Sequence, residues 1–185
     1  DDHMTFTILS RHFQVSARSF FQVNQGVAEK MIQFLLENLK LSTDEHVLEL
    51  YSGVGLFSAF LAEQVSHLTA VESSGSACYD FAMNLDEFDN VTLYEAEAED
   101  VLPSIDIHPS ILVMDPPRAG LKPAVHDAIA KLNPTQIAYI SCDPATLARD
   151  LKKIIHNGYE LGSATPFDLF PQTAHVETVV LMSRV

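Results

Sequence analysis

Five short apolar runs punctuate the chain, at 46–50 (HVLEL), 67–71 (HLTAV), 91–94 (VTLY), 110–114 (SILVM) and 136–140 (QIAYI), each rich in β-branched residues and bounded by turn formers. Runs of that length and composition are the signature of buried strands. Segments with helical spacing separate them, at 56–65, 75–88, 122–132 and 145–157. Such alternation predicts an α/β fold with a mostly parallel sheet covered on both faces. An amphipathic run at 24–39, with Asn24 as N-cap and Val27, Met31, Phe34 and Leu35 on one side, adds a helix before the first strand. Residues 5–20 read as a strand pair packed on the domain, or as the remnant of a preceding part.

Two more strand candidates, 159–165 and 175–184, end the chain, and the loop PFDLFPQTAH between them is short enough for a hairpin. The last strand is therefore expected to run antiparallel to its neighbour. Ligands of open α/β sheets bind outside the carboxyl ends of the parallel strands. An antiparallel strand begins at that edge, so Glu177 is expected to meet the residues that follow the parallel strands.

The length, 185 residues, suits one domain, assigned to 5–185 with 5–40 as its N-terminal strands and helix. The opening DDHM (1–4) reads as an expression scar on an excised domain, so a longer native polypeptide is expected. No run approaches the ~20 apolar residues of a membrane span, and no secretory signal opens the chain. These features predict a cytoplasmic protein without a membrane partner. Cys78 and Cys142 cannot build a disulfide framework and fall in no metal-ligand spacing, so free thiols and no metal are expected.

A formal net charge of −14 argues against a free-standing nucleic-acid binder. Its distribution alters that picture. Positions 41–117 carry fifteen Asp or Glu and no Lys or Arg, whereas Arg118, Lys122, Arg149, Lys152 and Lys153 gather near Cys142. Within the acidic stretch, HVLELYSGVGLFS (46–58) reads as strand, glycine turn and helix start, with Gly53 and Gly55 allowing close approach of a ligand. Ser58 replaces the third glycine of a dinucleotide fingerprint. Glu72, after the second strand of the series, can accept both ribose hydroxyls of an adenosine, and Glu97, after the third, its amino group. Carboxylates without cations repel a pyrophosphate but suit a sulfonium, so S-adenosylmethionine is preferred over a nicotinamide cofactor.

The reactive half lies beyond. SILVM delivers Asp115 to the sheet edge, and Pro116-Pro117 stiffens the exit. Asp115 can hydrogen-bond an amide edge such as N3–H of uracil, and Arg118 can neutralise it or grip phosphate or carbonyl oxygens. Cys142 follows QIAYI, with Pro144 suited to the first turn of the next helix. The helix N-terminus is expected to lower the thiol pKa, with Asp143 opposing it, whereas Cys78 reads as an inert core residue. Glu177 sits in an otherwise apolar strand, where a carboxylate is costly. His175 shares its face, and either could act as a base. A thiolate adding to carbon-6 of uracil would make carbon-5 nucleophilic. A base could then remove the carbon-5 proton before the thiol leaves.

FFQVN (20–24), LYSGVG (50–55), VE (71–72), DPPRAGL (115–121), SCDPATLARD (141–150) and FDLFPQTAHVE (167–177) together resemble the RNA uracil-5-methyltransferase family, whose members make 5-methyluridine in tRNA or 23S rRNA. The resemblance implies a Rossmann-like, class I S-adenosylmethionine-dependent methyltransferase fold acting on an RNA partner. It further implies a nucleophile at Cys142, a proton acceptor at Glu177 and cofactor contacts from Gln22, Tyr51, Gly53, Glu72, Glu97 and Asp115. Phe20 or Phe21 would border the target base. Asp143, where Asn is commoner, Ser52, where Cys is frequent, and Leu56, polar in some members, depart from the family pattern. The family's N-terminal RNA-binding domain has no counterpart in this sequence. Other readings remain: a different Rossmann-like methyltransferase, a nicotinamide-dependent oxidoreductase, or a noncatalytic RNA-binding scaffold.

Overall fold

A computed structural model describes residues 3–22, 24–169, 171–173 and 176–185. Seven strands form one sheet: β3 (His46–Leu50), β4 (His67–Glu72), β5 (Val91–Glu95), β6 (Ile111–Met114), β7 (Gln136–Ser141), β8 (Tyr159–Phe167) and β9 (Glu177–Arg184). Their order is β5-β4-β3-β6-β7-β9-β8. The pairs β3 to β7 are parallel, and β9 runs antiparallel to both neighbours. The last strand is thus inserted between β7 and β8, and Ser141 at the end of β7 pairs with Thr178. Glu177 consequently begins its strand where β7 finishes.

Alternation along each strand separates two cores. Val47, Leu68, Ala70, Val113, Ala138 and Ile140 face a cluster closed by α1 (Gln25–Asn38), α2 (Ser58–Leu61) and α3 (Gly75–Asn84). Leu48, Leu50, Leu112, Met114, Ile137 and Tyr139 face the opposite cluster, covered by α4 (Ala98–Val101), α5 (Pro123–Leu132) and α6 (Pro144–His156). Asn24 caps α1 by accepting from Val27 N, and Asp143 caps α6 ahead of Pro144 at its first turn.

The N-terminal strands β1 (His3–Ile8) and β2 (Arg11–Ser16) form a hairpin fastened to α3. Ser16 N and Oγ donate to the fully buried Asp80 at 2.8 and 2.5 Å, and Gln14 N donates to Asn84 Oδ1 at 2.8 Å. The strand pair thus packs on the domain through α3. His3 and Met4 lie within β1, opposite Ser16 and Val15.

Two helices are shorter than their apolar spacing predicts. The segment 56–65 forms α2 and then a single 3-10 turn, Ala62–Gln64, because Asn90 Nδ2 donates to Ala62 O and Val65 O and closes the chain early. The segment 75–88 stops at Asn84, whose amide group is drawn away to Gln14 O and Val54 O. The short α4 carries no apolar stripe long enough to announce it.

Gly55 proves to be a packing position rather than a point of ligand approach. Its φ is +88°, and a Cβ there would lie 2.3 Å from Leu85 Cδ1 and 3.0 Å from Phe81 Cδ2. Gly55→Ala should therefore strain the backbone and press on α3, destabilising the fold by about 2–3 kcal/mol. Urea unfolding checks this, and a loss under about 0.5 kcal/mol would contradict it.

Candidate active site

The sequence-predicted residues reach one cavity of about 690 Å³ at the carboxyl edge of the sheet. Its walls include Phe20, Phe21, Gln22, Tyr51, Gly53, Glu72, Glu97, Asp115, Arg118, Cys142 and Glu177. Strand order arranges them in sequence across that edge. Glu97 follows β5, Glu72 ends β4, and Tyr51 and Gly53 follow β3. Asp115 and Arg118 follow β6, Cys142 follows β7, and Glu177 opens β9. The midpoint, between β3 and β6, is where the strand order reverses, the crevice open α/β sheets use for ligands.

The glycine turn is held by its neighbours. Tyr51 takes a left-handed φ of 62°, a conformation costing ~1 kcal/mol or more for a non-glycine residue. Tyr51 N and Ser52 N both donate to Val71 O, at 2.8 and 3.2 Å. Glu72 ties this turn to its own: one oxygen accepts from Gly53 N at 2.9 Å, the other from Ser73 N and Ser74 N at 2.9 and 2.8 Å. Three backbone donors thus fix the carboxylate against the cavity wall. Burial, with the charges of Glu99, Glu97 and Asp150, pushes the Tyr51 phenol up to about 12, so it stays protonated.

The two adjacent phenylalanines separate in role. Phe21 is 8% exposed and packs its ring 4.7 Å from that of Phe6, within the core. Phe20 is 72% exposed at the same cavity. An uncovered aromatic face there is a stacking surface.

Carboxylates crowd the other side. Glu177 is 5% exposed, and its Oε2 has no hydrogen-bond partner among the described residues. Burial raises its pKa, with Arg118 opposing. Asp115 is pushed well above the usual carboxylate range by burial, then by Glu177 and Glu49. Glu49, in the middle of β3 and 2% exposed, sequence reasoning did not single out. Burial lifts it to about 8 against the hydrogen bond from Ser58 Oγ at 2.5 Å, and Glu72 adds to the rise. The signal was the one that marked Glu177, an ionisable group inside an apolar strand. Ser52, within the LYSGVG motif, and Arg18 also line the cavity, and nothing in the local sequence marks Arg18.

The expected lowering of the Cys142 thiol is not what the structure shows. Burial raises its pKa, and Glu177 and Asp115 add to the rise, while a hydrogen bond and the charge from Arg118 pull it down. The helix N-terminus offers little relief because Asp143 Oδ1 already accepts from Ala145 N and Thr146 N, at 3.0 and 2.8 Å. Arg118 is therefore the group favouring the thiolate. Cys78 is 4% exposed in α3, and burial with the charges of Glu72 and Glu95 holds it up to about 11, in keeping with an inert thiol. His175, the alternative base, lies outside the described residues.

Three buried polar atoms of cavity-lining residues lack partners among the described residues: Gln22 Oε1, Ser52 Oγ and Glu177 Oε2. Buried polar atoms are normally paired, so these three atoms suit a polar ligand. A positively charged ligand would offset the burial and the neighbouring charges of Glu177 and Glu49 that raise the Asp115 carboxyl.

The chain matches the tRNA (Uracil-5-)-methyltransferase family over residues 3–185. An uncharacterized RNA methyltransferase of Thermotoga maritima is 38% identical over 93% of this chain and 40% of its own length. Another, from Enterococcus faecalis, is 36% identical over 99% of this chain and 41% of its own length. The chain thus spans about two fifths of these curated relatives. Among solved structures, Pyrococcus abyssi tRNA (uracil-54, C5)-methyltransferase in complex with S-adenosyl-L-homocysteine superposes with a TM-score of 0.84 at 27% identity, over 98% of this chain and 44% of that one.

Proposed function

The chain belongs to the tRNA (uracil-5-)-methyltransferase family and has its Rossmann-like fold, and from that premise we propose that it methylates carbon-5 of uridine in RNA, using S-adenosylmethionine and a covalent bond to Cys142. The observation that carries this reading is the meeting of Cys142, Glu177, Asp115 and Arg118 on one cavity wall, in line with the carboxylates Glu72 and Glu97.

Glu72 and Glu97 would hold the adenosine of the cofactor, with Gln22, Tyr51 and Gly53 beside it. The unpaired Gln22 Oε1 and the cluster of carboxylates fit a cationic, polar ligand. Bound there, S-adenosylmethionine supplies an electrophilic methyl group on a sulfonium. Phe20 offers its exposed ring to the target base. A protonated Asp115 has a donor and an acceptor, the complement of the N3–H and C4=O edge of uracil.

The Cys142 thiolate, favoured by Arg118, forms an S–C6 bond and drives the ring electrons onto the carbonyl oxygen. Asp115 donates to that oxygen as its charge grows. Once carbon-5 has gained the methyl group, Glu177 takes the carbon-5 proton, the C5–C6 double bond reforms and the C6–S bond breaks, returning the thiolate.

The test is incubation with S-adenosylmethionine and RNA bearing 5-fluorouridine, read by denaturing gel and peptide mass spectrometry. A fluorine at carbon-5 cannot leave as a proton, so the protein should remain bonded to RNA through Cys142. Absence of the bond under conditions where cofactor and RNA both bind would sink the mechanism.

A further inference from the structure

Asp150 is a buried carboxylate that the proposed reaction does not use. It lies on α6, fully buried, yet its two oxygens accept four hydrogen bonds. Oδ2 accepts from Leu121 N and Tyr139 Oη, both at 2.8 Å, and Oδ1 from Arg149 Nε at 2.9 Å and His126 Nε2 at 3.1 Å. Burial alone would raise its pKa, but the bonds from Leu121, Tyr139, Arg149 and His126 together hold it below the usual value. An ionised carboxylate buried this deeply is costly unless every lone pair is met, so its value lies in direction rather than in stability. In the tautomer protonated at Nε2, His126 donates a hydrogen bond to it, and burial lowers the pKa of that ring despite Asp150, with Lys153 and Arg149 adding to the effect.

What Asp150 fastens is the loop that carries Arg118. Thr146 Oγ1 donates to Arg118 O at 3.0 Å, Arg149 Nη2 donates to Ala119 O at 2.8 Å, and Leu121 N reaches Asp150 itself. Between them Gly120 has φ +73°, and a Cβ there would come within 2.4 Å of both Arg149 Nη2 and Asp150 Oδ2. Four consecutive residues, 118 to 121, are thereby pinned to one helix. That helix starts immediately after Cys142 and its cap. A single rigid element therefore fixes the thiol at its beginning and the backbone of Arg118 along its first two turns.

We propose that Asp150 is a positioning residue for the nucleophile, locking the 118–121 loop to α6 so that the Arg118 guanidinium stays against Cys142 Sγ. The inference rests on the reading of Cys142 as the reacting thiol, but its test does not need RNA or cofactor. Among the described residues, the titratable and charged groups that act on the thiol are Glu177 from β9 and Asp115 and Arg118 from the loop after β6. Of these, Arg118 favours the ionised form, so loosening its loop must move thiol ionisation to higher pH.

The experiment is the pH profile of iodoacetamide alkylation at Cys142, followed by peptide mapping in the whole chain. Asp150→Asn and Arg149→Met should both displace the profile to higher pH and slow alkylation at neutral pH by roughly three- to tenfold. Arg118→Met should do the same, and Asp150→Asn should add nothing in the Arg118→Met background, because it acts through that side chain. The Arg149 side chain is 47% exposed, so its variant keeps the test open if the buried substitution prevents folding. Variants that melt earlier but alkylate with the parent's profile, or a shift undiminished without Arg118, would overturn the proposal. A normal shift with no 5-fluorouridine adduct would retain it and remove the methylation chemistry instead.

Discussion

Cys142→Ala is expected to reduce methyl transfer to RNA by about four orders of magnitude or more, while leaving stability within about 1 kcal/mol. The chemical reason is that carbon-5 of uracil is a poor nucleophile until carbon-6 is attacked, and in the proposed reaction the thiol supplies that activation. The structural reason is that Cys142 is half-buried in a cavity wall, not part of either core cluster. Its removal subtracts little packing. Incorporation of labelled methyl groups, alongside thermal unfolding of both forms, measures the two effects together. Retained activity would remove Cys142 from the chemistry and favour an enzyme or scaffold that does not use a thiol. In the unsubstituted protein the rate of thiol addition should climb with pH above neutrality, since burial and Glu177 raise the pKa that must be passed.

Much of this site is legible in local sequence because the fold repeats one local rule. Each parallel strand is an apolar run, each run ends at the same edge of the sheet, and residues at or just beyond its end reach the cavity. Glu72, Asp115 and Cys142 all follow from that rule. Glu177 follows from its converse, the antiparallel strand that starts where the others stop. The hidden features are those made by pairs distant in sequence. Gly55 looks like a ligand turn until Leu85 and Phe81 are seen beneath it. Helix α3 ends early because Asn84 answers to Gln14 and Val54. The Cys142 thiol, with a helix after it, promises a lowered pKa. The sheet order then places Glu177 beside it, and Asp143 spends its carboxylate on the helix donors. Glu49 was readable by the same argument as Glu177 but stood inside a motif already explained by its glycines.

Glu177→Gln should separate the two halves of the reaction. The substitution keeps shape and removes the proposed proton acceptor, so covalent Cys142–RNA species should accumulate on ordinary uridine RNA, and turnover should fall by about 10²–10⁴-fold. The lost charge has a second effect of definite sign. Ionised Glu177 raises the thiol pKa, so Gln at this position should let the adduct form at lower pH than in the parent. Stability should not suffer. The folded state holds the Glu177 proton more tightly than the unfolded chain, because burial raises its pKa. That contribution favours folding below the unfolded pKa and is lost as pH rises through the folded one, so ionisation at neutral pH opposes folding. An amide carries no such penalty, and its variant should melt no earlier than the parent at neutral pH. Denaturing gels of uridine RNA reactions sampled over time give the adduct, and a pH series gives the shift. Rapid turnover without adduct would show that another group takes the carbon-5 proton, and an adduct profile moving to higher pH would show that Glu177 does not act on the thiol through its charge.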